Sequence, residues 1–346
     1  MARAIQVGLG RWGFSWSQDV IPRVPNVEMV AYVDTSPEAT ARVQTELGVD
    51  PKLCFSSLAE AAKAVKADLV IGTLRTEAHY PVVKEALELG FHVIVEKPFA
   101  STMAQAKELV ALAQQHARIL MVSQNYRFQQ APIAVSRLIG EQKFGPVNLV
   151  TVDFRRHGPS QGYKYWDFPD PLLADMSIHH FDLMRMVLND NPKRVSCRTW
   201  NPPASPFKFH PVGVATLEFE RGTIVSYKGS WMSGGTPTPW SGEWTMDCSD
   251  GEIFWVSRDN FLGTLGPDRV VTRERGGEAK PLELAPIEFT DRLGTLHAVA
   301  QAVDTGEFPP RFSSGADNLY SFAVVQATIA SAAKNGEWIE IADIMK

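Results

Sequence analysis

The hydrophobic pattern changes character about a third of the way along the 346 residues. Before that point, short aliphatic and β-branched runs alternate with longer segments of helical period, which predicts parallel strands joined by crossover helices. Ala4 to Val7 reads as a buried strand, followed by Val27 to Val33, Leu69 to Ile71, His92 to Val95 and Ile119 to Val122. The helices between them are marked by their ends. Ser36-Pro37 supplies an N-cap and a first-turn proline, with Gly48 past the far end. Tyr80 to Leu89 is closed by Gly90, and Thr102 opens a capping box with Gln105 on a helix running to His116.

After about Asn125, strand patterns follow one another through tight turns. Val212 to Phe219 and Thr223 to Trp231 flank Arg221-Gly222, while Trp244 to Cys248 and Glu252 to Val256 flank Asp250-Gly251, the pattern of antiparallel hairpins. Helices are expected near 172–188, 290–304 and 317–334. The fold class is therefore α/β over 1–123 followed by a larger α+β domain over 124–346. Long loops at 156–170 (with Tyr163, Tyr165, Trp166 and Phe168), 201–211 and 232–242 are of the kind that cover a ligand or meet another subunit.

Composition narrows the function. A hydrophobic fraction of 45% and a charged fraction of 21% exclude a disordered or fibrous chain. The net charge of −5, with no basic run, gives no footprint for a phosphate backbone, so no nucleic acid partner is expected. Cys54, Cys197 and Cys248 lie far apart and match no metal spacing, which argues against a disulfide framework or structural metal and suits a reducing compartment. The N-terminus turns glycine-rich before a signal peptide could develop, and no window reaches the ~18 apolar residues of a membrane span. The expected address is cytoplasmic.

Gly8-Leu9-Gly10-Arg11-Trp12-Gly13 matches GxGxxG between a predicted strand and helix. There the first glycine permits the turn, the second admits a pyrophosphate to the backbone, and the third allows close packing of helix on strand. Asp34, 24 residues after Gly10, ends the second strand near the offset at which a carboxylate bonds the adenosine ribose. Its charge repels a 2′-phosphate and favours NAD, whereas Arg11 in the turn could attract that phosphate, so NADP stays open.

Glu96-Lys97-Pro98 follows the fifth strand, at the carboxyl edge where open α/β sheets place ligands. A lysine there can hydrogen-bond a reacting hydroxyl and favour its alkoxide; the alternative is a solvated strand end. Further on, Asp175, His179 and Asp182 stand at i, i+4 and i+7, one face of a helix. His179 titrates near neutrality and reads as a general base, with Asp175 or Asp182 fixing its tautomer. His180 points elsewhere, as a packed or capping residue. A polar seam between domains is the competing reading, and the adjacent histidines lack zinc-type spacing.

Together, the GLGRWG turn, the Glu96-Lys97-Pro98 tripeptide and the Asp175-x-x-x-His179-x-x-Asp182 helix resemble the Gfo/Idh/MocA oxidoreductases, which include glucose-fructose oxidoreductase and inositol dehydrogenases. Thr73, His79, Asn125-Tyr126-Arg127-Phe128 and the closing Ala330 to Gly336 fit the same pattern. The resemblance implies an N-terminal Rossmann domain and a C-terminal α+β domain with a large, mostly antiparallel open sheet that often builds dimers or tetramers. It implies hydride transfer at a secondary alcohol or hemiacetal carbon of a sugar, sugar acid or polyol. Lys97 would polarise the hydroxyl, His179 accept its proton, and Asp175 support both electrostatically. Gly8 to Gly13, Asp34, Thr73, His79, Glu96, Lys97 and Asn125 would hold the coenzyme. Arg155, His157, Tyr163, Trp166 and Asp182 are candidate substrate contacts, with Arg156 and Lys164 adding to a positive rim. Two departures stand out: Leu74-Arg75 replaces the usual Pro-Asn after Thr73, and Ser177 replaces a common glycine. The family also contains dinucleotide-binding regulators and NAD-retaining glycosidases, which are the competing functions.

Overall fold

The structure, a computed structural model, describes residues 1–158, 166–258 and 267–346. It opens with β1 (Ala2–Val7), α1 (Arg11–Ser15), β2 (Val27–Val33), α2 (Pro37–Leu47), β3 (Cys54–Phe55) and α3 (Leu58–Ala64). There follow β4 (Leu69–Gly72), α4 (Thr76–Glu88), β5 (His92–Val95), α5 (Met103–Gln115) and β6 (Leu120–Val122). The six strands form a parallel sheet in the order β3-β2-β1-β4-β5-β6. Strands β4 and β6 are buried at every position, as parallel strands covered on both faces must be. Strand order reverses between β1 and β4, so the residues after Val7 and Gly72 flank the switch point where such sheets bind ligands.

The predicted caps form. Ser36 accepts from the Ala39 N–H, Gly48 closes α2 in the left-handed region, and Thr102 accepts from the Gln105 N–H. α4 begins four residues before the predicted Tyr80, taking in His79, and Pro81 lies within it.

The remainder comprises α6 (Gln130–Gly140), β7 (Val147–Arg155), α7 (Ser177–Leu188), β8 (Pro192–Trp200), β9 (Val212–Phe219) and β10 (Ile224–Ser230). After these come β11 (Glu243–Cys248), β12 (Gly251–Val256), β13 (Arg269–Glu274), β14 (Lys280–Pro281), α8 (Asp291–Thr305), α9 (Gly315–Ala333) and β15 (Ile339–Glu340). These strands form a sheet in the order β14-β13-β12-β11-β7-β10-β9-β8-β15. All neighbours are antiparallel except β7 and β10, and the two predicted hairpins are β9–β10 and β11–β12. One face is buried; on the other Leu149, Trp200 and Val214 are exposed.

The chain divides into two compact units, Met1–Asn125 with Phe289–Leu319, and Tyr126–Glu288 with Tyr320–Lys346. It therefore crosses between units three times, where the sequence reading drew one boundary at 123. The reason is α8, which packs on β1 and β5 of the first sheet, while Val122 donates its N–H to the Ser313 carbonyl at 3.0 Å. Helical period marks such a helix but does not say which sheet it covers. Among the described residues no helix is long and apolar enough to cross a membrane.

Candidate functional site

The glycine turn is clamped from beneath by buried polar side chains. Gln6 Nε2 donates to the Gly13 carbonyl at 2.8 Å and to Thr73 Oγ1 at 3.1 Å, and Thr73 Oγ1 donates to the Gly8 carbonyl at 2.6 Å. Ser17 holds the far end of Gln6 at 2.6 Å. Gly8 has φ +95°, and a Cβ on Gly13 would lie 1.9 Å from the Gly8 carbonyl oxygen, so neither position admits a side chain. Around a Cβ placed on Gly10, by contrast, nothing lies within 4 Å. The turn is thus rigid at both ends and open at its middle, which fits a pyrophosphate. Asp34 accepts from the Leu9 N–H at 2.6 Å and from the Ser36 N–H at 2.8 Å, holding its carboxylate beside the turn. Arg11 and Trp12 are exposed.

Glu96 is buried, and burial raises its carboxyl above the ordinary range against the opposing pull of Trp12, Lys97 and Arg292. Trp16 Nε1 donates to it at 2.9 Å, and the Lys97 backbone N–H at 3.3 Å. Lys97 is half-buried. His79 is wholly buried with Nδ1 2.8 Å from the Pro98 carbonyl and Nε2 3.2 Å from the Leu74 carbonyl. Burial lowers its pKa, so the neutral ring donates from Nδ1 to Pro98 and fixes the chain just after Lys97. His79 thus faces backbone on both sides. Asn125 donates to Asp291 in the same unit.

In the second unit, α7 is entered through a π-helical turn, Pro171–Met176, so Asp175 sits on a wider winding than the α spacing assumes. His179 lies flat on Tyr126, ring centres 4.0 Å apart and planes 3° from parallel. Asp182 is 1% exposed and turned to Arg127, which meets it with two bonds of 2.6 Å; Ser321 Oγ adds a third at 2.7 Å. That arrangement commits Asp182 to Arg127 and Ser321 rather than to a substrate.

His180 points into the sheet. Its Nε2 donates to the Trp240 carbonyl at 2.9 Å, and its Nδ1 accepts from Tyr227 Oη at 3.0 Å, which in turn lies 2.8 Å from Ser177 Oγ. Burial pushes the pKa of His180 down to about 4 from 6.5. Because the unfolded chain takes up this proton first, the contribution is complete above pH 6.5 and is lost as pH falls toward 4, by about 3 kcal/mol. Urea unfolding of wild type and His180→Gln across this window should show the wild type losing that much more stability; parallel pH profiles would disprove it.

The profile for the oxidoreductase family with an NAD-binding Rossmann fold (GFO_IDH_MocA) matches residues 3–124, and that for the GFO/IDH/MocA C-terminal domain matches residues 133–254, well over half of the chain together. The chain belongs to the Gfo/Idh/MocA oxidoreductases. The 1,5-anhydro-D-fructose reductase of Ensifer adhaerens is 24% identical over 347 residues, 96% of this chain and 99% of that protein. The uncharacterized protein y4oX of Sinorhizobium fredii is 25% identical over 338 residues, 95% and 93% of the two chains. An inositol dehydrogenase homologue from Azotobacter vinelandii, solved with NADH and myo-inositol, superposes with a TM-score of 0.82 at 20% identity, covering 98% of this chain and 97% of its own.

In this family member the expected positive rim is only partly a rim. Arg155 is bonded to Asp153 and, at 2.7 Å, to Glu243, so its charge is taken up within the sheet. His157 is exposed, and Trp166 is half-buried. Tyr163 and Lys164 lie outside the described residues. Sequence reading missed Arg292, whose guanidinium carbon lies 4.4 Å from the Trp12 ring centre and whose Nη atoms lie 3.2 Å from Ser15 Oγ. It also gave no role to Tyr126 or Arg258. The bulky aromatic immediately before the last glycine of GLGRWG, Trp12, was the one available hint of a cation stacked on it.

Proposed function

We propose that this oxidoreductase oxidises a secondary alcohol or hemiacetal carbon of a sugar, sugar acid or cyclic polyol, with NAD as coenzyme and NADP as the alternative. The observation that carries this reading is the glycine turn, locked at Gly8 and Gly13 and open at Gly10, in a chain that also holds His179 flat against Tyr126. The backbone from Gly8 to Gly13 would cradle the pyrophosphate, and Asp34 would meet the adenosine ribose and repel a 2′-phosphate. When bound, the nicotinamide supplies the acceptor for the hydride that leaves the carbinol carbon. Lys97 hydrogen-bonds the substrate hydroxyl and stabilises negative charge on its oxygen. His179 takes the hydroxyl proton as the carbonyl forms, and Asp175 supports the resulting imidazolium. Glu96 and His79 hold the backbone on either side of Lys97. Self-association through the open face of the nine-stranded sheet, where Trp200 and Val214 are exposed, completes the reading as a homodimer or homotetramer.

The test is a panel of sugars, sugar acids and inositols offered with NAD or NADP, reading reduced nicotinamide. Turnover of at least one compound, faster with NAD, is expected. A protein that binds NADH yet reduces no coenzyme with any of them would refute the reading.

A further inference from the structure

We infer that Tyr227 is a positioning residue for the proton transfer, its buried hydroxyl holding α7 from behind so that His179 meets the reacting hydroxyl in one orientation. This deepens the dehydrogenase reading above and rests on the role given there to His179.

The helix has two polar faces. His179 and Asp182, three residues apart, lie on the face that meets Tyr126 and Arg127. Ser177 and His180, also three apart, lie on the opposite one. Both reach the same atom: Tyr227 Oη is 2.8 Å from Ser177 Oγ and 3.0 Å from His180 Nδ1. In sequence, His179 is therefore carried between two residues that a single hydroxyl holds.

The ends of this chain fix the direction of its bonds. The Trp240 carbonyl, 2.9 Å from His180 Nε2, can only accept, so the neutral ring carries its proton on Nε2 and takes the Tyr227 proton at Nδ1. Tyr227 Oη is then the acceptor for Ser177, whose hydroxyl also lies 3.1 Å from the Leu172 carbonyl. That carbonyl receives the Ser177 backbone N–H as well, closing the π-helical turn that contains Asp175. Ser177, Tyr227 and His180 are each at most 1% exposed, so a partner lost here is not replaced from solvent.

The anchor itself is stiff. Tyr227 stands on β10, inside the nine-stranded sheet, opposite Val152 of β7 and Ala215 of β9. Two residues on, Gly229 leaves the space that the hydroxyl needs: a Cβ there would lie 2.7 Å from Tyr227 Oη and 2.9 Å from the Leu172 side chain. The arrangement also gives Ser177 a task, since the glycine common at that position would leave Tyr227 Oη without its donor. A group held from a strand is placed more precisely than one held from a loop, and a reacting group displaced by about 1 Å can lose 10²-fold in rate.

The experiment removes the hydroxyls one at a time, in Tyr227→Phe and Ser177→Ala, and follows oxidation of the panel compound that wild type turns over best, with saturating NAD. Each variant should lower kcat about 10- to 100-fold while KM and NADH affinity stay within a few-fold. The solvent deuterium isotope effect on kcat should exceed that of wild type, as proton transfer becomes the slow step. The double variant should be little worse than either single one, because both break one chain. His180→Gln, which keeps an acceptor for Tyr227 and a donor for the Trp240 carbonyl, should retain most of the wild-type kcat, whereas His180→Leu should not. Wild-type kcat in either hydroxyl variant, or a lower kcat with an unchanged isotope effect, would overturn the inference and leave the dehydrogenase reading standing. Wild-type kcat in His179→Gln would instead bring down the role of His179 on which the inference rests.

Discussion

Lys97→Met is expected to lower kcat by roughly 10²–10⁴-fold, the range that a positioned proton-handling or alkoxide-stabilising group contributes, with NADH affinity held within a few-fold. Selectivity for chemistry over binding follows from how the residue is anchored. Its backbone N–H is bonded to Glu96 Oε2 at 3.3 Å, and the carbonyl of Pro98 receives His79 Nδ1 at 2.8 Å. None of these bonds uses the ammonium group, so truncating the side chain leaves the strand end in place. The glycine turn is secured independently by Gln6, Thr73 and Ser17. Methionine keeps the aliphatic stem and removes only the charge. Steady-state kinetics on a substrate from the panel, beside a fluorescence titration with NADH, separates the two quantities. Turnover within tenfold of wild type would remove Lys97 from the chemistry; a parallel loss of NADH binding would recast it as a coenzyme contact.

The first sheet was legible because each of its signals is local. A buried parallel strand is a continuous apolar run, a cap is a Ser or Thr at a fixed offset from its helix, and a GxGxxG turn declares its own backbone requirement. The hairpins at Arg221-Gly222 and Asp250-Gly251 were legible for the same reason. Strands β7, β8 and β13 were not, since no short turn announces their pairing; β7 is joined in parallel to β10, almost seventy residues away in sequence. The return of α8 to the first unit is equally silent, because an amphipathic period shows that a face is buried and not what buries it. At the site, Asp182 illustrates the limit most clearly. Three polar residues at i, i+4 and i+7 read as one functional face, yet a π-helical turn precedes the helix and Asp182 is bonded to Arg127, 55 residues earlier. Arg127 was visible in the sequence only as part of a motif, with nothing to say which carboxylate it would meet.

That pair carries the largest stability prediction. Arg127 and Asp182 are almost fully buried and joined by two bonds of 2.6 Å; Ser321 Oγ donates to the same carboxylate at 2.7 Å and accepts from Arg185 Nη1 at 2.7 Å. Removing one partner from a buried ion pair strands the other charge, a cost of about 3–5 kcal/mol, whereas replacing both by apolar groups costs far less. Asp182→Leu and Arg127→Met should therefore each destabilise the protein by that amount in urea unfolding, and the double variant by much less than their sum. Catalysis should follow the same pattern, because Tyr126, on which His179 is stacked, precedes Arg127 directly, so the dipeptide grips α7 at two points three residues apart. Each single variant should lower kcat more than it raises KM, with part of kcat returning in the double variant. Additive effects, with a coupling below about 1 kcal/mol, would mean that the pair is not the clamp on α7, and that the helix is held instead by His180, Tyr227 and Trp240 on its other side.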